Sequence, residues 1–95
     1  MRYSRQEALI GKENQKLLNS KKIGVIGLGA IGSNAANLLA RSGVNLILID
    51  YDEIDLTNLQ RQNIFSQDDL GKNKVDAAKE YLKKVNPEIE ITAYN

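Results

Sequence analysis

A glycine-rich loop set between a short apolar run and a helical pattern constrains the fold of this chain most. The loop contains Gly27, Gly29 and Gly32 in the spacing Gly-x-Gly-x-x-Gly. The first glycine permits a tight turn, the second lets the backbone approach a phosphate, and the third lets a helix pack closely on a strand. The amides that open such a helix attract anions. A turn without a ligand is the alternative, but the strand–loop–helix context favours a nucleotide site of unspecified kind.

Apolar periodicity around this loop predicts an α/β fold. The predicted elements, in order, are a strand over 22–26, a helix over 30–42, a strand over 46–49, a helix over 73–86 and a strand over 89–94. The strands are near-continuous apolar runs, as in buried parallel sheets, and the helices carry apolar residues at helical spacing. The sum is β-α-β-α-β, half of a doubly wound Rossmann-like parallel sheet.

Short helices are predicted in front of this sheet. Ser4-Arg5-Gln6-Glu7 has the pattern of a capping box, in which the serine caps the helix and the glutamate reaches back. A short helix is therefore expected from Ser4 to about Gly11, with a second one over 14–20.

The predicted sheet has no fourth strand. In a doubly wound sheet the fourth strand pairs with the outer side of the first, so the first strand would present an apolar, unpaired edge to water. Residues 1–95 are therefore expected to form a single domain that is the N-terminal portion of a longer protein. The alternative is that another chain covers this edge.

Composition narrows the chemistry. The chain contains neither cysteine nor histidine, so no metal site is predicted within it and zinc is disfavoured. The net charge is +1, which does not indicate nucleic acid or a membrane surface as a partner. No apolar stretch approaches the length of a signal peptide core or a membrane span, so a cytoplasmic location is expected.

The polar run after the second strand narrows the type of nucleotide. Asp50 ends that strand at close to the roughly 20 residues from the glycine loop that are typical of a ribose-binding acid. Asn58 and Arg61 follow, and a spacing of three lets them share one face of a helical turn and point into the same cleft. Arginine matches phosphate oxygens. A strand-end carboxylate that caps amides, and a solvated surface arginine, are the alternatives.

Three other acids and one lysine complete the candidate residues. Asp52, Glu53 and Asp55 are interpreted as solvated loop carboxylates without a role. Lys74 opens the next helix, where its charge is unfavourable to the helix dipole, and this weakly indicates an anionic partner.

Five segments in register resemble the N-terminal part of the ubiquitin-activating enzyme superfamily, above all its ThiF/MoeB type, over essentially the whole chain. The segments are Arg2-Tyr3-Ser4-Arg5-Gln6, the glycine loop, Asp50, Thr57-Asn58-Leu59-Gln60-Arg61-Gln62 and Gly71-Lys72-Asn73-Lys74. The resemblance implies an adenylyltransferase that uses ATP to adenylate the C-terminal glycine of a small ubiquitin-like or sulfur-carrier protein, with release of pyrophosphate.

The resemblance also implies residue roles. Asp50 would hold the ribose, and Asn58, Arg61 and Lys74, in a motif that begins at Thr57, would hold the triphosphate. Arg5 would reach the phosphates of the partner subunit in a homodimer. The implied catalytic residues are Arg61, Lys74 and Arg5, and the implied nucleotide-binding residues are Gly27, Gly29, Ala30, Gly32, Asp50, Thr57, Asn58, Arg61 and Lys74. Ala30 stands where the family often has glycine, and the Mg²⁺ ligand is expected outside this chain.

Two other functions stay open at this level. A plain NAD-binding domain of an oxidoreductase would explain the glycine loop and Asp50, but would leave Asn58, Arg61 and Lys74 without a task. A non-catalytic remnant that binds a partner through the bare edge of the first strand is the third possibility.

Overall fold

Two short helices precede the sheet in the computed structural model, which describes residues 2–62 and 64–95. Helix α1 spans Ser4–Ile10 and α2 spans Lys12–Ser20, with Gly11 between them. Both helices were expected, but the capping box of Ser4 and Glu7 is wrong. The N-cap is Tyr3, one residue earlier, and no side chain caps it, because Ser4 already lies in the first turn.

The sheet contains three parallel strands, in the order in which they occur along the chain. Strand β1 spans Lys22–Ile26, β2 spans Asn45–Ile49 and β3 spans Ile91–Tyr94, with β2 in the centre. Ile23 pairs with Leu46, and Leu46 pairs with Ile91. Among the described residues no strand lies on the outer side of β1. The predicted Rossmann-like half-sheet, with its first strand at an edge, is confirmed.

Two long helices pack on one face of this sheet. Helix α3 spans Ala30–Ser42 and ends at Gly43 in the left-handed conformation, and α4 spans Lys74–Val85. Alternate strand residues face these helices, because side chains point to opposite faces along a strand. The core between sheet and helices contains Leu46, Leu48, Ala36, Ala40, Ala78 and Leu82, all of them fully buried.

The opposite face of the sheet carries an exposed apolar row at the carboxyl ends of the strands. The row consists of Ile26, Ile49 and Tyr94, which are paired across the sheet and are 81%, 38% and 57% exposed. This row lies next to the glycine loop. None of the helices formed by residues 2–62 and 64–95 has the length and apolar character needed to span a membrane.

The connection between β2 and α4 is long but anchored. It contains 3₁₀ turns at Leu56–Asn58 and Gln67–Asp69, and its apolar residues Ile54, Ile64 and Phe65 are buried in the core. Long connections with packed side chains of their own are often functional. This one brings its polar residues to the carboxyl edge of the sheet, beside the glycine loop.

Candidate nucleotide site

The glycine loop makes the turn that its sequence predicts. Gly27 has a φ of +86°, which favours glycine, and its amide donates to the carbonyl oxygen of Ile49 over 2.8 Å. Ser33 is fully buried, and its hydroxyl donates to the carbonyl oxygen of Leu28 over 2.9 Å. These bonds fix the loop against β2 and α3. The first amides of α3 have no intrahelical acceptor and are available to an anion.

Gly32 and Gly29 have opposite surroundings. A Cβ at Gly32 would overlap the carbonyl oxygen of Gly27 and lie only 3.0 Å from its carbonyl carbon. A Cβ at Gly29 would have no atom within 4 Å. Gly32 therefore serves the close contact between helix and loop, whereas Gly29 leaves open space where a ligand can approach the backbone.

Asp50 ties the glycine loop to the polar run. It is only 8% exposed, its Oδ2 accepts from the Leu28 amide over 2.6 Å, and its Oδ1 accepts from the Asp52 amide over 2.8 Å. The alternative interpretation, a carboxylate that caps amides, is therefore correct as a description of its contacts. Each oxygen keeps a second lone pair for a ligand hydroxyl, so capping and ribose binding are compatible.

Asp50→Asn should lower stability by about 2 kcal/mol, because one of the two amide donors would then face an NH₂ group instead of an acceptor. For a domain of this size that corresponds to a decrease in unfolding midpoint of roughly 8–16 °C, measured by circular dichroism. Asp52→Asn is the matched control, since Asp52 is exposed and its carboxylate makes no hydrogen bond to a described residue. Equal midpoints for the two variants would contradict this assignment.

Asp55 has a structural task that the sequence interpretation missed. Its carboxylate accepts from the Thr57 hydroxyl over 2.6 Å and from the Thr57 amide over 2.8 Å, while the Asp55 amide donates to the Asn58 side-chain oxygen. The bond from the Thr57 hydroxyl, then that from the Thr57 amide, lowers the pKa of Asp55 below its ordinary value. Since the charged form is favoured, this cap is complete at neutral pH and is lost only in strong acid.

An open cleft of about 430 Å³ collects most of the predicted residues. Its walls are formed by Ile26, Gly27, Gly29, Ile49, Asp50, Tyr51, Asp52, Arg61, Gln62, Lys74 and Asn95. One side is apolar, from the exposed row of the sheet, and the other is polar and carries two cations. A cleft with an apolar wall, a strand-end acid and facing cations suits a nucleotide, whose base is apolar and whose phosphates are anionic.

Lys74 and Arg61 differ in their surroundings. Arg61 is exposed, and its guanidinium donates weakly to the Thr57 carbonyl oxygen over 3.4 Å. Lys74 is only 6% exposed, and its ammonium makes no ion pair with any carboxylate in residues 2–62 and 64–95. Its charge also acts on the exposed Asp55 carboxylate, which lies beyond ion-pair distance. Lys74 is thus a largely buried lysine in the wall of the cleft, with an ammonium that forms no ion pair among the described residues.

The remaining predicted residues lie beside the cleft or far from it. Asn58 is buried and uses its side-chain oxygen in the loop cap, together with Thr57. Ala30 is the first residue of α3. Arg5 lies at the other end of the molecule. Its neighbour Gln6 donates to the carbonyl oxygen of Ser42, the last residue of α3. The glycine loop lies at the opposite end of that helix, which has a length of roughly 20 Å. Arg5 cannot serve the cleft of its own chain.

Sequence reasoning missed Gln62 as a part of this cleft. Its position directly after Arg61, at the end of the polar run, is the sequence signal that points to it. Among the described residues, no group of three or more acidic side chains is arranged to hold a metal ion.

Comparison with known proteins identifies the family of this chain. The family model described as the ThiF family matches residues 3–95. Molybdopterin-synthase adenylyltransferase of Escherichia coli is 41% identical over 98 residues, which cover 100% of this chain and 39% of that protein. tRNA threonylcarbamoyladenosine dehydratase of Bacillus subtilis is 42% identical over 92 residues, which cover 96% of this chain and 36% of that protein. The chain thus spans less than two fifths of the length of these curated relatives.

Solved structures give the same result. The E. coli tRNA N6-threonylcarbamoyladenosine dehydratase TcdA in complex with AMP superimposes with a TM-score of 0.93 at 34% identity, over 98% of this chain and 38% of that one. The same enzyme has also been solved in complex with ATP. E. coli MccB superimposes with a TM-score of 0.90 at 40% identity, over 98% of this chain and 28% of that one.

Proposed function

This chain belongs to the ThiF family, and from that membership we propose that it binds ATP in the cleft at the carboxyl edge of its sheet. It would supply the nucleotide-binding part of an adenylating enzyme, as a single domain over residues 1–95. The observation that carries the proposal is Lys74, a largely buried lysine without an ion pair among the described residues, in one cleft with the glycine loop, Asp50 and Arg61. The ATP and AMP in the TcdA structures support the choice of nucleotide.

In this proposal the nucleotide is oriented by the charges of the cleft. Adenosine lies against the apolar wall of Ile26 and Ile49, with its ribose at Asp50. The triphosphate extends toward Arg61, Lys74 and the first amides of α3. Thr57 and Asn58 act through the capped turn that holds Arg61 in place.

The proposed reaction is attack of a carboxylate on the α-phosphorus of ATP, which forms an acyl-adenylate and expels pyrophosphate. The protein contributes position and charge: it aligns the two reactants and offsets the negative charge that develops on the phosphates. Lys74 and Arg61 perform this task in the same chain. Mg²⁺ would add further charge neutralisation when it is bound by residues outside this chain.

We assign the acceptor as the C-terminal glycine of a small ubiquitin-like sulfur-carrier protein. Two E. coli relatives support this choice, since one is a molybdopterin-synthase adenylyltransferase and the other a ThiS adenylyltransferase that is 42% identical over 98% of this chain. The B. subtilis tRNA threonylcarbamoyladenosine dehydratase supports a second candidate, a modified tRNA nucleoside. Both acceptors would place the protein in the cytoplasm.

Arg5 acts across a homodimer in this proposal. Its distance from the cleft of its own chain excludes a role in cis, whereas exposure on α1 leaves it free to meet the cleft of a second subunit. In the NAD-binding alternative the pyrophosphate lies at the amides that open α3, so Lys74 and Arg61 have no anion of their own to bind. The partner-binding remnant needs only the open edge of β1.

Thermal-shift titrations separate these functions, because a ligand that binds the folded state raises its unfolding midpoint by mass action. We expect ATP with Mg²⁺ to raise the midpoint and NAD to leave it unchanged. In the same protein, a purified sulfur carrier should stimulate release of pyrophosphate from ATP, and bulk tRNA should not. Stimulation by tRNA alone would support the second candidate, and a response to NAD but not to ATP would refute the proposed function.

A further inference from the structure

Gln62 is a buried polar residue in the wall of the cleft without a complete set of partners. It is 1% exposed, and its side-chain oxygen Oε1 has no hydrogen-bond donor. Among the described residues, Oε1 is the sole buried side-chain polar atom in this condition. Buried polar atoms are nearly always paired, so an exception inside a candidate site calls for a missing partner.

The backbone of Gln62 is anchored on both sides. Its amide donates to the Asn58 carbonyl oxygen over 2.9 Å, and its carbonyl oxygen accepts from the Phe65 amide over 3.3 Å. Asn58 and Phe65 are both buried. The backbone of the turn is therefore fixed, and because Gln62 lines the cleft, a rotation of its side-chain amide brings Oε1 to a donor on a ligand there.

We propose that Gln62 is a nucleotide-binding residue whose Oε1 accepts a hydrogen bond from the adenosine part of the ligand. This inference rests on the proposed function. Phosphate oxygens carry no donor, whereas adenosine carries ribose hydroxyls and the 6-amino group of the base. The cleft divides in the same way, because Arg61 and Lys74 are donors for the phosphates and Asp50 and Gln62 are acceptors for the nucleoside.

The stability of the ligand-free protein distinguishes a ligand-binding role of Gln62 from a purely structural one. If Gln62 served only to hold the loop, its replacement would destabilise the protein. If its oxygen awaits a ligand, then Gln62→Met, which keeps the length of the side chain and removes the polar atoms, should stabilise the ligand-free protein. An unpaired buried polar atom opposes folding, and binding residues commonly reduce stability in this way.

The test uses Gln62→Met, with Gln60→Met as the matched control because Gln60 is exposed in the same loop. By calorimetric titration, Gln62→Met should bind ATP about tenfold more weakly than the parent, as expected for one lost hydrogen bond. Inorganic tripolyphosphate should bind both proteins equally. The unfolding midpoint of ligand-free Gln62→Met should rise by about 4 °C, and Gln60→Met should match the parent throughout.

Nucleotide analogues then identify the donor. Inosine triphosphate lacks the 6-amino group, and 2′-deoxy-ATP and 3′-deoxy-ATP each lack one hydroxyl. The analogue that lacks the relevant donor should bind the parent about tenfold more weakly than ATP, and that difference should vanish in Gln62→Met. Unchanged ATP affinity in Gln62→Met, equal loss of tripolyphosphate binding, or a lower midpoint would each overturn the inference while the parent still binds ATP. A parent that binds no ATP would overturn the proposed function as well.

Discussion

Gly32→Ala should destabilise the protein by about 3 kcal/mol or more, a larger effect than any other single methyl group is expected to have in this chain. The added Cβ would overlap the carbonyl oxygen of Gly27, which belongs to backbone. Gly27 cannot move away easily, because its amide is bonded to Ile49 in β2. The unfolding midpoint should therefore fall by roughly 12–24 °C, measured by calorimetry or circular dichroism.

Gly29→Ala is the control, since it adds the same methyl group to the same loop. Gly29 has a negative φ of −74° and no atom within 4 Å of its Cβ position. Gly29→Ala should keep the parent midpoint or raise it slightly. Because Gly29 lines the cleft, the same variant should still weaken ATP binding. A stable Gly32→Ala variant would show that the contact between α3 and the glycine loop is looser than the structure indicates.

The elements that local sequence determines could be predicted. The bounds of β1 and the end of α3 at Gly43 are as expected, because a short apolar run and a glycine stop depend on neighbouring residues alone. The edge position of β1 also follows, since right-handed crossovers between parallel strands leave few arrangements. The gathering of Asp50 and the glycine loop at one edge results from the same topology.

The tasks of individual polar side chains could not be predicted in the same way. Asn58 was expected in the cleft beside Arg61, but its oxygen accepts from the Asp55 amide, and Asp55, expected to be merely solvated, caps the same turn. Each of these two side chains could bind either a backbone amide or a ligand, and the spacing of residues in the sequence does not show which partner it takes. The burial of Lys74 and Gln62 depends on how the connection folds over the sheet, which is set by tertiary packing.

Lys74→Met should weaken ATP binding by about 100-fold, the largest loss expected of any variant in the cleft. The estimate corresponds to about 2.7 kcal/mol, within the range for a charge-assisted contact in a partly buried site. The stability of the ligand-free protein should change little, because methionine fills the space of the largely buried lysine stem and no ion pair is lost. Titration calorimetry with ATP and with adenosine separates the phosphate contribution, since adenosine affinity should change little.

Lys72→Met tests whether charge in general or this position in particular is responsible. Lys72 lies two residues earlier, but it is exposed and pairs with Asp69 and Glu80 at 3.4 and 4.0 Å. Exposed ion pairs contribute little to stability, so the loss of Lys72 should change the free energy of unfolding by less than about 1 kcal/mol. The ATP affinity of Lys72→Met should stay within about twofold of the parent. Similar losses of ATP affinity in the two variants would mean that binding depends only on the net charge of this segment and not on the position of Lys74. A loss confined to Lys74→Met, with little change in the stability of the ligand-free protein, would identify Lys74 as the cation that binds the phosphates at this position.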